Sequence, residues 1–376
     1  MTFRFLHTAD WHIGKAFGGF PPDRAALLRE ARLTAISRLA AVATEHSAKH
    51  VVVAGDIFDS SGLPDRDLRK VMSLLKTAGT LHWCLLPGNH DPDQDRGLWE
   101  RIVQFGVPDN VHLLRTAEPY RLEHNVVLLP APLEQRQSAV DPTAWFESAE
   151  RGSADIVIGL AHGSIHDFGG ADEASILISP ERAVSARLDY LALGDWHGAR
   201  AIKERVWYSG SPESDSYVDN QSGHALVVEI DGAGALPRVK QVPTGQYKWQ
   251  RERIELGIGN SGTDVLARIA EHETEAARLL LRLDLTGQLG VSEEIRLVAE
   301  LDAIGASFFN FDVRMDQLGV VADENMETLY DSVAVSNVAQ RLHEAAVAGD
   351  GDDARVARRA LQILAGSAAV PQDRSA

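Results

Sequence analysis

The sequence predicts a layered α/β fold, followed by a smaller α/β module and terminal helices. Three observations carry that reading: short apolar runs alternate with helical periods from Phe3 to Leu86, apolar runs dominate from Val126 to Ile230, and the texture changes near Val242. Such an order suits helices packed on sheets around buried strands.

The elements follow in order. Residues 3–8 form a short apolar strand, and between residues 24 and 44 Leu27, Leu28, Ala31, Ala35, Ile36, Leu39 and Ala43 recur at helical spacing. Residues 51–54 are β-branched and short enough for a buried strand. Leu68, Val71, Met72 and Leu75 mark a second helix, and residues 81–86 a third strand. Strands are then expected at 126–129, 156–160, 190–193, 206–208 and 225–230. The polar stretch 241–253 reads as an edge strand or linker. It leads into a helix at 263–276, a strand at 278–285, a helix at 292–304 and a strand at 308–315, a module without a catalytic-looking cluster. Residues 325–348 and 354–364 read as helices separated by the polar breaker Gly349-Asp-Gly-Asp-Asp353, and Pro371 opens a frayed tail. The expected organisation is therefore 1–241, 242–322 and 323–376. The last helices either pack on the second module or dock a partner helix.

Length and composition bound the function. A 376-residue chain that is 44% hydrophobic and 24% charged is an ordinary globular chain of two or three domains. It has no run of about 18 apolar residues, so no transmembrane helix is expected. The apolar amino terminus leads straight into Asp10 and His12, so it reads as a strand rather than a signal peptide. Cys84 is the only cysteine, which excludes an intramolecular disulfide and fits a reducing cytosol. The formal charge of -17 has the wrong sign for contact with nucleic-acid phosphates. Bound metal ions or a basic partner would reverse the sign locally.

Five segments stand out where predicted strands end: Asp10-Trp-His12, Gly55-Asp-Ile-Phe-Asp59, Gly88-Asn-His-Asp91, Ala161-His-Gly163 and Gly194-Asp-Trp-His-Gly198. Ligands of layered α/β domains gather beyond the carboxyl ends of strands. Carboxylate, imidazole and amide oxygen together suit hard or borderline divalent cations such as manganese, iron or zinc. Asp10 and His12, two residues apart, share a face if the backbone is extended. Gly55 and Gly88 allow sharp turns beside Asp56 and Asn89. Two ions roughly 3.5–4 Å apart can clamp a phosphate and activate a water between them. A histidine at the edge, such as His90, can protonate the leaving oxygen. Each segment alone is commonplace as a turn or a buried histidine, and five in this order are specific.

On these residues the chain resembles the calcineurin-like metallophosphoesterases. His7-Thr-Ala-Asp-Trp-His-Ile-Gly14, Gly55-Asp-Ile-Phe-Asp59, Pro87-Gly-Asn-His-Asp91 and Tyr208-Ser-Gly-Ser-Pro-Glu213 are similar to SbcD-type exonuclease subunits in order and separation. The likeness is specific up to about Ile230 and rests on domain order beyond Val242. It implies a phosphoesterase domain, an α/β capping domain and carboxy-terminal helices. It also implies hydrolysis of DNA phosphodiesters without a covalent intermediate, two divalent ions with manganese expected, a homodimer and an SbcC-type coiled-coil ATPase partner. Asp10, His12, Asp56 and His197 would hold the first ion, Asp56, Asn89 and His162 the second, and His90 would act on the scissile phosphate.

Two departures follow. The family usually reads Gly-His-x-His where this chain has Gly194-Asp-Trp-His197, so Asp195 is expected as a shorter, anionic ligand of the second ion. Asp10, Asp56 and Asp195 would then offset three of four metal charges and favour harder ions such as manganese. Asp59 stands where some relatives place a histidine; it would either bind metal-bound water or cap the next helix, and capping is the expected role. Trp11 and Trp196 are expected to pack beneath the metals, and Gly169-Gly170 to form a flexible loop. Two other readings stay open: a small-molecule phosphodiesterase or phosphatase on the same scaffold, which the acidity favours, and a scaffold subunit with a degraded metal site.

Overall fold

The computed structural model describes residues 2–166, 176–257, 261–321 and 333–347, with helical positions at 352–354, 356, 357, 360 and 364. The expected Gly169-Gly170 loop, the start of the 325–348 helix, the break at 349–351 and the tail from Pro371 lie outside the described residues. The chain forms two compact units, Met1–Lys248 and Trp249–Ala376.

The first unit opens with β1 (Phe3–Thr8), α1 (Pro22–Glu45), β2 (His50–Val53), α2 (Asp65–Thr77), β3 (His82–Leu85), α3 (Leu98–Phe105) and β4 (Val111–Leu113). It continues through β5 (Tyr120–Glu123), β6 (Val126–Ala131), β7 (Ile156–His162), β8 (Ser164–Ile165), β9 (Leu177–Ile178) and α4 (Arg182–Ser185). It closes with β10 (Tyr190–Gly194), β11 (Arg200–Lys203), β12 (Val206–Tyr208), β13 (His224–Ile230) and β14 (Arg238–Pro243). Two six-stranded sheets result, ordered β14-β13-β1-β2-β3-β4 and β11-β12-β10-β7-β6-β5. β1 to β4 are parallel, with β13 antiparallel against β1. β6, β7, β10 and β12 are parallel in the second sheet.

The period-two alternation of strand side chains explains the layers. Phe3, Phe5, Val52, Ala54 and Cys84 of the first sheet share one core with Val126, Leu128, Ile158, Leu160 and Ala192 of the second. The intervening Leu6, Val51, Val53, Trp83 and Leu85 pack instead against Ile36, Leu39, Leu68, Val71 and Ile102 of the three helices. Strands buried on both faces read as unbroken apolar runs, which is how β2 and β10 appear in the sequence. The parallel strands end at a common edge, and the loops that leave it carry the five segments.

The second unit contains β15 (Lys248–Leu256), α5 (Gly262–Ala270), β16 (Leu279–Gly290), α6 (Val291–Gly305), β17 (Asn310–Val321) and α7 (Val333–Val347). Its sheet runs β15-β16-β17, and Leu281, Leu283 and Leu285 pack with Val265, Ile269, Leu297 and Leu301. α5 stops six residues short of the expected end, where Glu271, Glu273 and Glu275 crowd like charges onto what would be its last turns. β16 runs past the expected Leu285, with a register shift against β17 between Asp284 and Thr286.

Candidate metal centre

The first two ligand segments lie zipped together. Asp10 N–H donates to Gly55 O at 3.1 Å, His12 N–H to Asp56 O at 3.0 Å and Ile13 N–H to Ile57 O at 2.9 Å. The backbone there is not extended as expected: φ is +55° at Asp10, +43° at His12, +53° at Asp56 and +104° at Asp195. Left-handed conformations cost non-glycine residues free energy and persist only where the surrounding structure holds them. Gly55 does turn sharply, at φ +89°, and a Cβ there would lie 2.3 Å from His162 Nδ1. Gly88 is needed for space rather than for a turn, because a Cβ there would lie 2.3 Å from Asp56 Oδ1.

The structure brings all eight predicted residues to this edge. Asp10, His12 and His197 form one group whose donor atoms lie within 4.8 Å of one another, His12, Asp56 and His90 a second, and Asp10, Asp56 and His162 a third. Asp195 is in none of these groups. Its Oδ1 lies 3.8 Å from His162 Nε2 and accepts from Asn89 Nδ2 at 3.3 Å, and its Oδ2 accepts from Ser164 Oγ at 2.6 Å. The last contact adds Ser164, which no sequence signal marked.

Two further carboxylates, outside the expected ligand set, touch His12 and His197 directly. Asp59 Oδ1 lies 3.3 Å from His12 Nδ1. The expected capping role is thereby replaced: α2 begins after Pro64 and has no side-chain cap. Asp215, in the loop after β12, lies 3.2 Å from His197 Nδ1. With their Nδ1 atoms facing carboxylates, His12 and His197 bring their Nε2 atoms to 3.1 Å of each other. That separation suits an imidazole–imidazole hydrogen bond or, with both Nε2 atoms bare, two donors of one cation. His90 Nδ1–H donates to Asp59 O at 3.0 Å, which leaves its Nε2 toward the open side. Trp11 is buried and donates from its indole to Thr8 Oγ1, in keeping with packing beneath the site.

The donor set fits divalent cations. His162 donates from Nδ1 to Ala54 O at 2.8 Å, and its buried Nε2 makes no hydrogen bond among the described residues but faces Asp56 Oδ2 at 3.5 Å. Asn89 Oδ1 is also buried without one among them. A buried polar atom left unpaired costs about 1–3 kcal/mol, and a cation removes that cost. Burial pushes the Asp10 carboxyl up to about 6, with Asp56 and Asp195 adding to the push against His197 and His162. Burial alone would raise Asp56 too, but His162, His12 and His90 hold it well below the usual range. Burial drives the His12 imidazole down to about 4, the neutral form a metal ligand requires. At His162 and His197 burial is outweighed by nearby carboxylates, which raise both, so these two must release a proton to bind a cation.

Carboxylate, imidazole and amide donors gathered at one sheet edge define a centre for divalent metal ions. The chain belongs to the calcineurin-like phosphoesterase family, which its residues 3–199 match, and it is a metal-dependent phosphoesterase. The DNA double-strand break repair protein Mre11 of Methanosarcina acetivorans is 24% identical over 297 residues, 76% of this chain and 46% of that protein. The SbcD subunit of the SbcCD nuclease of Bacillus subtilis is 26% identical over 341 residues, 78% of this chain and 82% of that subunit. Its counterpart in Rhodobacter capsulatus is 28% identical over 289 residues, covering 64% of this chain and 69% of that subunit. The chain thus spans about half the length of the archaeal relative and more than two thirds of the two bacterial subunits.

Proposed function

We propose that the chain is the nuclease subunit of a DNA repair or processing complex and hydrolyses phosphodiester bonds in DNA. The observation that carries the reading is the reach of the likeness to the Bacillus subtilis SbcD subunit, which covers 78% of the chain and so extends past the phosphoesterase family's 3–199 match. Two divalent ions, manganese expected, would be held by Asp10, His12, Asp56 and His197 and by Asp56, Asn89, His162 and Asp195. When bound, they polarise the phosphate and supply an activated water.

The chain's own residues do the rest. Asp56 stands between the two ligand sets, and its backbone is pinned by His12 N–H. His90, its Nδ1–H fixed by Asp59 O, is the residue proposed to act on the leaving oxygen through Nε2. The loop from Tyr208 to Glu213 forms the site wall, with Tyr208 Oη donating to Gly163 O at 2.8 Å. An SbcC-type coiled-coil ATPase is the proposed partner, docking on the carboxy-terminal helices of the 323–376 segment and supplying the basic surface that a chain of charge -17 lacks. A cytosolic location is proposed on the single, buried Cys84. Among the described residues no helix is long and apolar enough to cross a membrane.

The acidity favours one rival, a small-molecule phosphodiesterase on the same scaffold. Assaying bis-p-nitrophenyl phosphate beside labelled duplex and hairpin DNA, with manganese and with or without the ATPase, separates the two. Manganese-dependent DNA cleavage is expected. Efficient hydrolysis of the small diester with intact DNA under every condition overturns the proposal.

A further inference from the structure

Asp215 is separated by 18 residues from His197 and belongs to none of the five ligand segments. Its carboxylate is almost wholly buried, with 2% side-chain exposure, among two cations and an imidazole. Oδ1 lies 3.2 Å from His197 Nδ1, while Oδ2 accepts from Lys15 Nζ at 2.6 Å and lies 2.8 Å from Arg32 Nη2. Arg32 is itself buried, and its Nη1 donates to the backbone oxygens of Trp11 and Asp10, so it ties Asp215 to the first ligand segment. Burying an arginine and a carboxylate here costs desolvation that a purely structural contact of this size does not readily offset. A carboxylate on the far nitrogen of a ligand histidine fixes its tautomer and ring orientation and raises its basicity.

We propose that Asp215 is a positioning residue for the metal centre. It holds the His197 proton on Nδ1, which leaves Nε2 bare and aimed beside His12 Nε2, and Arg32 and Lys15 hold Asp215 in that place. The proposal rests on the reading of His197 as a ligand. Asp59 against His12 Nδ1 repeats the arrangement on the other imidazole of the pair, but Asp59 is 30% exposed, so the buried Asp215 is the stiffer support.

The test is a calorimetric titration of the metal-free, full-length protein with manganese chloride, with the thermal midpoint of each metal-free variant measured beside it. Asp215→Asn should keep the wild-type number of sites and weaken the His197 site by about 10–100-fold. Asp215→Glu retains the charge and should recover part of that loss, and it carries the test if the asparagine variant does not fold. Ser222→Ala is the control. Ser222 braces the same loop by donating from Oγ to Ser214 Oγ at 2.8 Å, and the site reading assigns it no role. A general loosening of the loop predicts equal affinity losses in Ser222→Ala and Asp215→Asn, and that result overturns the proposal. So does unchanged affinity in Asp215→Asn while His197→Ala loses one equivalent. If His197→Ala itself keeps full manganese binding, the ligand reading fails first and the proposal falls with it.

Discussion

Asp91 clamps two catalytic loops together, and its removal should be felt both in stability and in turnover. The carboxylate is fully buried; Oδ1 accepts from Gly88 N–H at 2.7 Å and Oδ2 from Phe58 N–H at 3.0 Å. Asp91→Ala leaves both backbone donors without an acceptor in the interior. At about 1–3 kcal/mol for each unsatisfied donor, the loss is about 2–6 kcal/mol, a large share of a typical domain's about 5–15 kcal/mol. For a unit of this size each kcal/mol lowers the melting temperature by about 2–4 °C, so a fall of at least about 4 °C is expected. Asp91→Asn keeps one acceptor and should lose about half as much, since its amide would face the second N–H. Chemical denaturation followed by circular dichroism measures the change. Asn89 and His90 lie between the clamped ends, so turnover should fall even where the variant stays folded. A loss below about 0.5 kcal/mol for Asp91→Ala would refute the clamp, being the level of an unremarkable surface change.

Other predictions follow from the same geometry. His90→Ala should keep its metal content and lose about 100-fold or more in turnover; unchanged turnover sinks the proton-donor role. Asp195→Ala should lose about one metal equivalent, and Asp195→His should accept zinc or cobalt better relative to manganese; unchanged stoichiometry and preference would confine Asp195 to orienting Asn89. Away from the site, His50, His82 and His112 stack on β2, β3 and β4 at 5.4 and 5.5 Å, and burial, then His82, His112 and Lys49, push His50 down to about 4. Because the unfolded imidazole titrates near 6.5, His50 contributes stability that is present above that pH and lost as pH falls toward about 4, roughly 3 kcal/mol in all. Glu123, 3.6 Å from His50 Nε2, is the opposing charge. His50→Leu should flatten this part of the stability–pH curve, and an unaltered slope between about pH 6.5 and 4 would show that other groups carry it.

The site was far more legible in the sequence than its supports. Asp10, Asp56, Asn89, His162 and His197 stand directly after apolar strands, so local pattern and residue type both point at them. Asp59 is marked only by its segment, which does not tell a capping role from one at His12, and Asp215 carries no signal, because what marks it is proximity across the fold to His197. Among the elements, β2 and β10 are unmistakable runs buried on both faces. By contrast, α3 has only eight residues and β14 alternates exposed with half-buried positions at a sheet edge, so neither offers a clear period. The extended backbone expected between Asp10 and His12 was the reasonable inference for a strand end. It fails because the two loops hydrogen-bond to each other through left-handed residues, which no local preference would select.

Anomalous diffraction at the manganese absorption edge, on crystals of the full chain grown with manganese, would show whether this cluster holds divalent metal. Two peaks about 3.5–4 Å apart are predicted. One should be bounded by Asp10, His12, Asp56 and His197, and the other by Asp56, Asn89, His162 and Asp195, with Asp56 between them. A manganese peak elsewhere, or none among these side chains, would contradict the account.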